Sequence, residues 1–199
     1  MAKTPGIIRS EHRRLASVIA CMQGVIDDTV AGRIAPDLAL FDSVLQYFEE
    51  FLYRFHHPKE DRYLFPALRE KSPEIAEVLD RLDAEHDGGA VLIRELREAL
   101  EKYRGTQDEA DFAEFAHLAT LYRDFEWKHM ATEEKHVLPL AEKQLTEADW
   151  APLDAAFTDH EDPLFGDKPS AQFGRLMQDI VNRAPAPHGL GEARPGTGK

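Results

Sequence analysis

One cysteine, Cys21, stands among 199 residues, so no disulfide can form within the chain and the fold must rest on burial and polar pairing. A lone thiol inside a helical pattern fits a reducing compartment, and a cytoplasmic location is the expectation. Long apolar runs are missing too: nothing approaches the roughly 18 uninterrupted apolar residues of a membrane span. The first 15 residues, MAKTPGIIRSEHRRL, lack the apolar block and small-residue cleavage site of a secretory leader. Basic residues are scarce as well. Lys and Arg number 24 against 37 Asp and Glu, a formal charge of −13, which argues against the basic surface that nucleic acid selects. Bound cations would offset part of that excess. No stretch alternates apolar and polar residues with period two, so no strand is expected.

What is present is helical spacing. Ile8, His12, Leu15, Ile19, Met22 and Ile26 advance by 4, 3, 4, 3, 4 and draw one stripe on a first helix, which Gly32 and Pro36 close. Phe41, Leu45, Phe48, Leu52 and Phe55 continue the rhythm on a second helix, before His56, Glu60 and Pro66. The segment Lys71-Ser72-Pro73 ends that region, and a third helix from about Glu74 carries Ile75, Leu79, Leu82, His86, Gly89, Ile93, Leu96 and Leu100. Gly105 stands where a helix stop is expected. The fourth helix starts near Asp108 and carries Phe115, Leu118, Tyr122, Phe125 and His129. Four amphipathic helices joined by short turns describe an all-α, up-and-down four-helix bundle over residues 1–145. A C-terminal helical extension follows over 146–184, opened by a capping box of Thr146 and Asp149 and closed by an amphipathic segment with Phe173, Leu176, Met177 and Ile180. Residues 185–199, rich in Pro and Gly, are expected to form a flexible tail.

The chemistry lies in a repetition. His56-x-x-x-Glu60 and His129-x-x-x-Glu133 stand 73 residues apart, each before a short apolar run ending in proline, Pro66 and Pro139. Upstream of each is a Glu-His pair, Glu11-His12 and Glu85-His86, at separations of 44 and 43 residues from His12 to His56 and from His86 to His129. Residues four apart on a helix stand one above the other, so each His-Glu pair can aim at one point in the core. Imidazole suits iron, zinc, copper and nickel, and helical bundles hold two-metal sites with converging His and Glu side chains. Burying four histidines and two carboxylates without a cation would be costly. At about 100° per residue His56 lies roughly 80° from Phe48, whereas His57 lies roughly 180° from it, opposite the apolar stripe. His57 has Asp61 as its own i+4 partner, so a shifted pair of His57 and Asp61 stays open. Pro58 can kink the helix at this point. His136 is read as a surface or core-edge residue, and His117, His160 and His188 as structural or exposed.

These residues resemble the hemerythrin-like, HHE cation-binding family over roughly residues 7–143, most closely in His56-His57-Pro58-Lys59-Glu60-Asp61-Arg62-Tyr63-Leu64-Phe65-Pro66 and in the segment from His129 to Pro139. The resemblance implies two non-haem iron ions joined by an oxo or hydroxo bridge, with His12, His56, His86 and His129 as ligands and Glu60 and Glu133 bridging. One departure stands out. The oxygen carriers of the family have a further histidine four residues along the third helix, where this chain has Ala90 behind Gly88 and Gly89. Two histidines per iron imply a more symmetric, more open site than a plain carrier has. The two glycines serve either close helix packing or room for a ligand. Dioxygen, nitric oxide or peroxide are the ligands this resemblance implies, with no nucleic acid or membrane as partner. Binding or sensing is the first reading. A peroxidase-like oxidoreductase or an iron-donating repair protein is the alternative, and a bundle with structural metal serving a protein partner is a third. The family's repair proteins carry an N-terminal cysteine-bearing domain, and with His12 so near the start none is expected here.

Overall fold

The computed structural model describes residues 2–158 and 169–192; His160 lies outside them. Six helices account for nearly all of it, and no strand occurs among the described residues. Helix α1 is Thr4–Val30, α2 spans 38–71, α3 is Ala76–Thr106 and α4 spans 109–144. Two shorter helices follow, α5 (Glu147–Thr158) and α6 (Pro169–Arg183). The first four close a ring, α1 against α2 and α4, and α3 against α2 and α4, as the sequence spacing leads one to expect. Among the described residues, no helix is long and apolar enough to cross a membrane.

The turns follow from local chemistry. Gly32 takes a positive φ of 69° after α1, and Asp37 caps α2 by accepting from the Leu40 amide at 3.1 Å. Asp108 caps α4 in the same way, accepting from Ala110 at 2.7 Å. Gly105 is not the stop of α3. The helix passes through it to Thr106, and Gln107 takes the left-handed conformation at φ 55° instead. The side chain of Gln107 compensates by donating to the carbonyls of Tyr103 and Arg104. Thr146 and Asp149 form the expected reciprocal cap on α5. Asp154 of α5 reaches back to the start of α1, accepting from the amides of Lys3 and Thr4, both at 2.9 Å, and from the Thr4 hydroxyl at 2.8 Å.

Helices α2 and α4 are not regular. In α2 the α-helical pieces Leu38–Tyr47, His57–Lys59 and Phe65–Lys71 are separated by π-helical turns at Phe48–His56 and Glu60–Leu64. In α4 a π turn at Glu133–Val137 joins Glu109–Thr132 to Leu138–Gln144. Each π turn ends within two residues of a proline, Pro58, Pro66 or Pro139. Proline has no N–H to give and its ring crowds the carbonyl four residues back, so a wider turn lets the helix continue where a regular one would break.

The core has two apolar halves. One includes Leu15, Ile19, Met22, Phe41, Leu45, Phe48, Leu96, Phe115 and Tyr122. The other includes Ile8, Leu64, Phe65, Leu79, Leu82, Val137, Leu138 and Phe157. Every helix of the ring crosses a polar layer between them: His12 falls between Ile8 and Leu15, and His86 between Leu82 and Ile93. The C-terminal segment departs from the expectation of a free tail. Ala184 is fully buried, the Leu190 amide bonds to the Val181 carbonyl, and His188 packs on Gly24 with Nε2 at 3.0 Å from Asp28. Packing against α1 orders residues 184–191 where composition alone suggests none. Residues 193–199 lie outside the described part.

Candidate metal centre

Eleven ionisable side chains fill the polar layer or its rim. His12, His56, Glu60, His86, His129 and Glu133, the six expected from spacing, are all at most 6% exposed. They converge. Glu60 points Oε1 at His56 Nε2, 3.5 Å away, and Oε2 at His86 Nε2, 3.7 Å away. Glu133 mirrors it, with Oε2 3.2 Å from His12 Nε2 and Oε1 3.5 Å from His129 Nε2. Each carboxylate therefore lies between one imidazole of the first hairpin and one of the second. Neither makes a hydrogen bond in this geometry: both oxygens of Glu60, both of Glu133 and His12 Nε2 are buried without one.

The outer nitrogens are fully accounted for. His56 Nδ1 is 2.8 Å from Glu11, His12 Nδ1 is 3.1 Å from Glu134, His86 Nδ1 is 2.7 Å from Asp61, and His129 Nδ1 is 3.1 Å from Glu85. The pattern is a pseudo-twofold circuit. The residue before His12 orients His56, and the residue before His86 orients His129. The residue after Glu133 orients His12, and the residue after Glu60 orients His86. With a carboxylate on each Nδ1, that nitrogen holds the proton and the Nε2 lone pair faces inward. His86 Nε2 and His129 Nε2 then confront each other at 3.1 Å. Two lone pairs so placed require a cation between them or a proton on one.

In the metal-free protein a proton takes that place. Burial opposes a charged His129, yet Glu133 and Glu85 outweigh it and the imidazole is pushed up to about 9. Glu133 is held low: burial would raise it, and His129 and His12 more than compensate. Glu60 moves the other way, raised by burial and then by Glu133 beside it. One carboxylate of the pair keeps its charge and the other resists it.

His57 corrects the expectation from helical angles. It is 3% exposed, stacked on His86 with ring centroids 3.9 Å apart and edge-on to His129 at 5.3 Å. Its Nδ1 has no hydrogen bond, unlike that of the other four histidines, and burial holds it well below the usual imidazole range. The cause is the π turn. A turn closed from i to i+5 advances roughly 80° per residue rather than about 100°, so nine residues from Phe48 return to nearly the same face. Asp61, the other member of the shifted pair, is 42% exposed at its side chain and bonds to His86 from outside. Two fully buried, overlapping groups of potential ligands result: His12, His56, Glu60 and Glu133, and His57, Glu60, His86 and His129. A third group at the rim, Asp61, Asp83 and His86, is partly exposed. Besides His57, spacing alone left out Glu11, Asp61, Glu85 and Glu134 as orienting groups. Their signal was adjacency, since each directly precedes or follows a residue already singled out.

A buried acid borders the layer. Glu126, one turn before His129 on α4, is fully buried and accepts from the Tyr53 hydroxyl at 3.1 Å; that hydroxyl is also 3.4 Å from the Tyr122 hydroxyl. Burial raises the Glu126 carboxyl against the opposing pull of His129 and the two tyrosines. Gly89 makes room for this network: a Cβ there would meet the Tyr53 hydroxyl and crowd Phe125, whereas one at Gly88 would meet only Phe125 at 4.0 Å. Of the two uses open to the glycines, packing accounts for Gly89. His136 and His117 are exposed and away from the layer.

Comparison with curated proteins and with solved structures gave no match. The family model for the hemerythrin HHE cation-binding domain matches residues 5–141, most of the chain and nearly all of the helical ring that carries the polar layer. The chain belongs to the hemerythrin HHE cation-binding domain family.

Proposed function

We propose that the centre holds two non-haem irons and binds or senses dioxygen or nitric oxide. His12 and His56 would hold one ion and His86 and His129 the other, with Glu60 and Glu133 available to both. The observation that carries this reading is the division of each carboxylate, one oxygen toward each hairpin, with no competing hydrogen bond. The donor set fits. His86 Nε2 and His129 Nε2, 3.1 Å apart, are close enough to be held by one ion.

His57 joins His86 and His129 as a third imidazole. Ala90 leaves α3 without a further histidine, but α2 supplies one, so the balanced two-plus-two arrangement gives way to three-plus-two. The His12–His56 side has one nitrogen fewer, and a small ligand belongs there. A depression of about 300 Å3 beside His12, lined by Ala16, Trp127, Met130 and Ala131, gives an apolar approach to that side. A two-iron unit would supply reversible binding of, and electron transfer to, the small ligand. The side chains of this centre orient it and keep the surroundings dry.

Anaerobic loading with iron(II), then exposure to dioxygen or nitric oxide, tests the reading. A visible band that appears with the gas and reverses on its removal is expected. No spectral response to either gas in iron-loaded protein would rule binding out. A second reading, a peroxide-consuming oxidoreductase, is favoured by the buried Tyr53–Glu126 pair, which could hold a proton close to the centre. Sustained peroxide turnover that falls on Tyr53→Phe would favour it.

A further inference from the structure

A second cavity lies outside the polar layer and is not used by the function proposed above. It measures about 490 Å3 and opens between α1, α2 and α6. Its walls are apolar: Phe51, Phe55 and Phe173 meet with centroids 5.2 to 6.1 Å apart, and Ile7 and Met177 complete them. That volume is within the range of sites that enclose small organic molecules.

The polar groups at this cavity are what distinguish it from a packing defect. Ser10 and Arg14 stand one helical turn apart on α1, and neither has a hydrogen bond or ion pair among the described residues. Tyr47 is 1% exposed as a residue and lines the same space. The guanidinium can only donate, and the two hydroxyls can donate. Glu11, the remaining polar residue, is already committed to His56 at 2.8 Å.

From this arrangement we infer that the cavity binds a small amphipathic carboxylate. Its head group accepts from Arg14, Ser10 and Tyr47, and its apolar body lies between Phe51, Phe55 and Phe173. A neutral molecule of the same shape would gain no ion pair with Arg14. The occupant would lie against Glu11, one hydrogen bond from His56. Binding itself does not depend on metal, so the inference stands or falls separately from the iron reading.

Calorimetric titration of the metal-free protein with octanoate, and with octanol as the neutral counterpart, tests it. Saturable binding of one octanoate per chain is expected, with octanol at least about tenfold weaker, as suits loss of a charged hydrogen bond. Arg14→Gln lies on the exposed face of α1, leaves the fold intact and should weaken octanoate by about the same factor. Met177→Trp should block it by filling the cavity. Absence of saturable octanoate binding, equal binding of octanol, or indifference to both substitutions would each overturn the inference.

Discussion

At the scale of single residues, the centre consists of groups that are unfavourable without a cation. Glu60 is fully buried with neither oxygen hydrogen-bonded, and Glu133 is beside it. Glu60→Gln should therefore change sign with metal. Metal-free protein is expected to gain about 1 kcal/mol or more, because the amide replaces a carboxyl whose charged form burial and Glu133 disfavour, and iron-loaded protein to lose stability. Melting curves in chelator and in iron would show it, and destabilisation in both states would mean that Glu60 is structural. The orienting carboxylates make a second prediction. Glu85→Gln and Asp61→Asn, outside the first ring of ligands, should weaken iron affinity by roughly 10- to 100-fold without unfolding the chain. His129 gives the pH dependence. Its folded value of about 9 lies above the ordinary imidazole value near 6.5. Its contribution to metal-free stability is complete below about pH 6.5 and is lost as pH rises through about 9. Iron must displace that proton, so uptake at pH 7.5 should release at least one proton per chain, measurable with an indicator dye in weak buffer.

At the scale of helices, the π turns decide which side chains reach the layer. His12, His86 and His129 were legible in the sequence because each continues a 4-and-3 stripe on a regular helix. His57 was not. A π turn leaves no periodic mark, and its one local sign, a nearby proline, reads equally well as a kink. The orienting glutamates were hidden for another reason: a charged residue beside a core residue looks like ordinary surface until the opposite helix is placed. Gly105 misled because glycine is the usual left-handed stop, while here Gln107 adopts that conformation with help from its own amide. The glycine pair on α3 gives a further prediction. Gly88→Ala has open space and should stabilise by up to about 1 kcal/mol through helix propensity. Gly89→Ala must displace the Tyr53 hydroxyl from Glu126 and should destabilise, by about 1–3 kcal/mol. Chemical denaturation of the two variants separates packing from propensity.

At the scale of the molecule, the polar layer divides the bundle core into two apolar halves, and all four long helices pass through it. The bundle itself was legible from spacing and turn residues. The docking of residues 184–191 on α1 was not, because it depends on contacts about 160 positions apart, such as His188 with Asp28. A cation at the layer would tie the four helices together where apolar packing is interrupted, so metal content and global stability should rise together. Elemental analysis of protein loaded anaerobically with iron(II) and freed of excess metal, alongside its melting temperature, is the most direct measurement. Two irons per chain with a higher melting temperature than the metal-free form, both lost in the Glu60→Ala, Glu133→Ala double variant, is the expected result. No bound iron, or iron retained undiminished by the double variant, would contradict it.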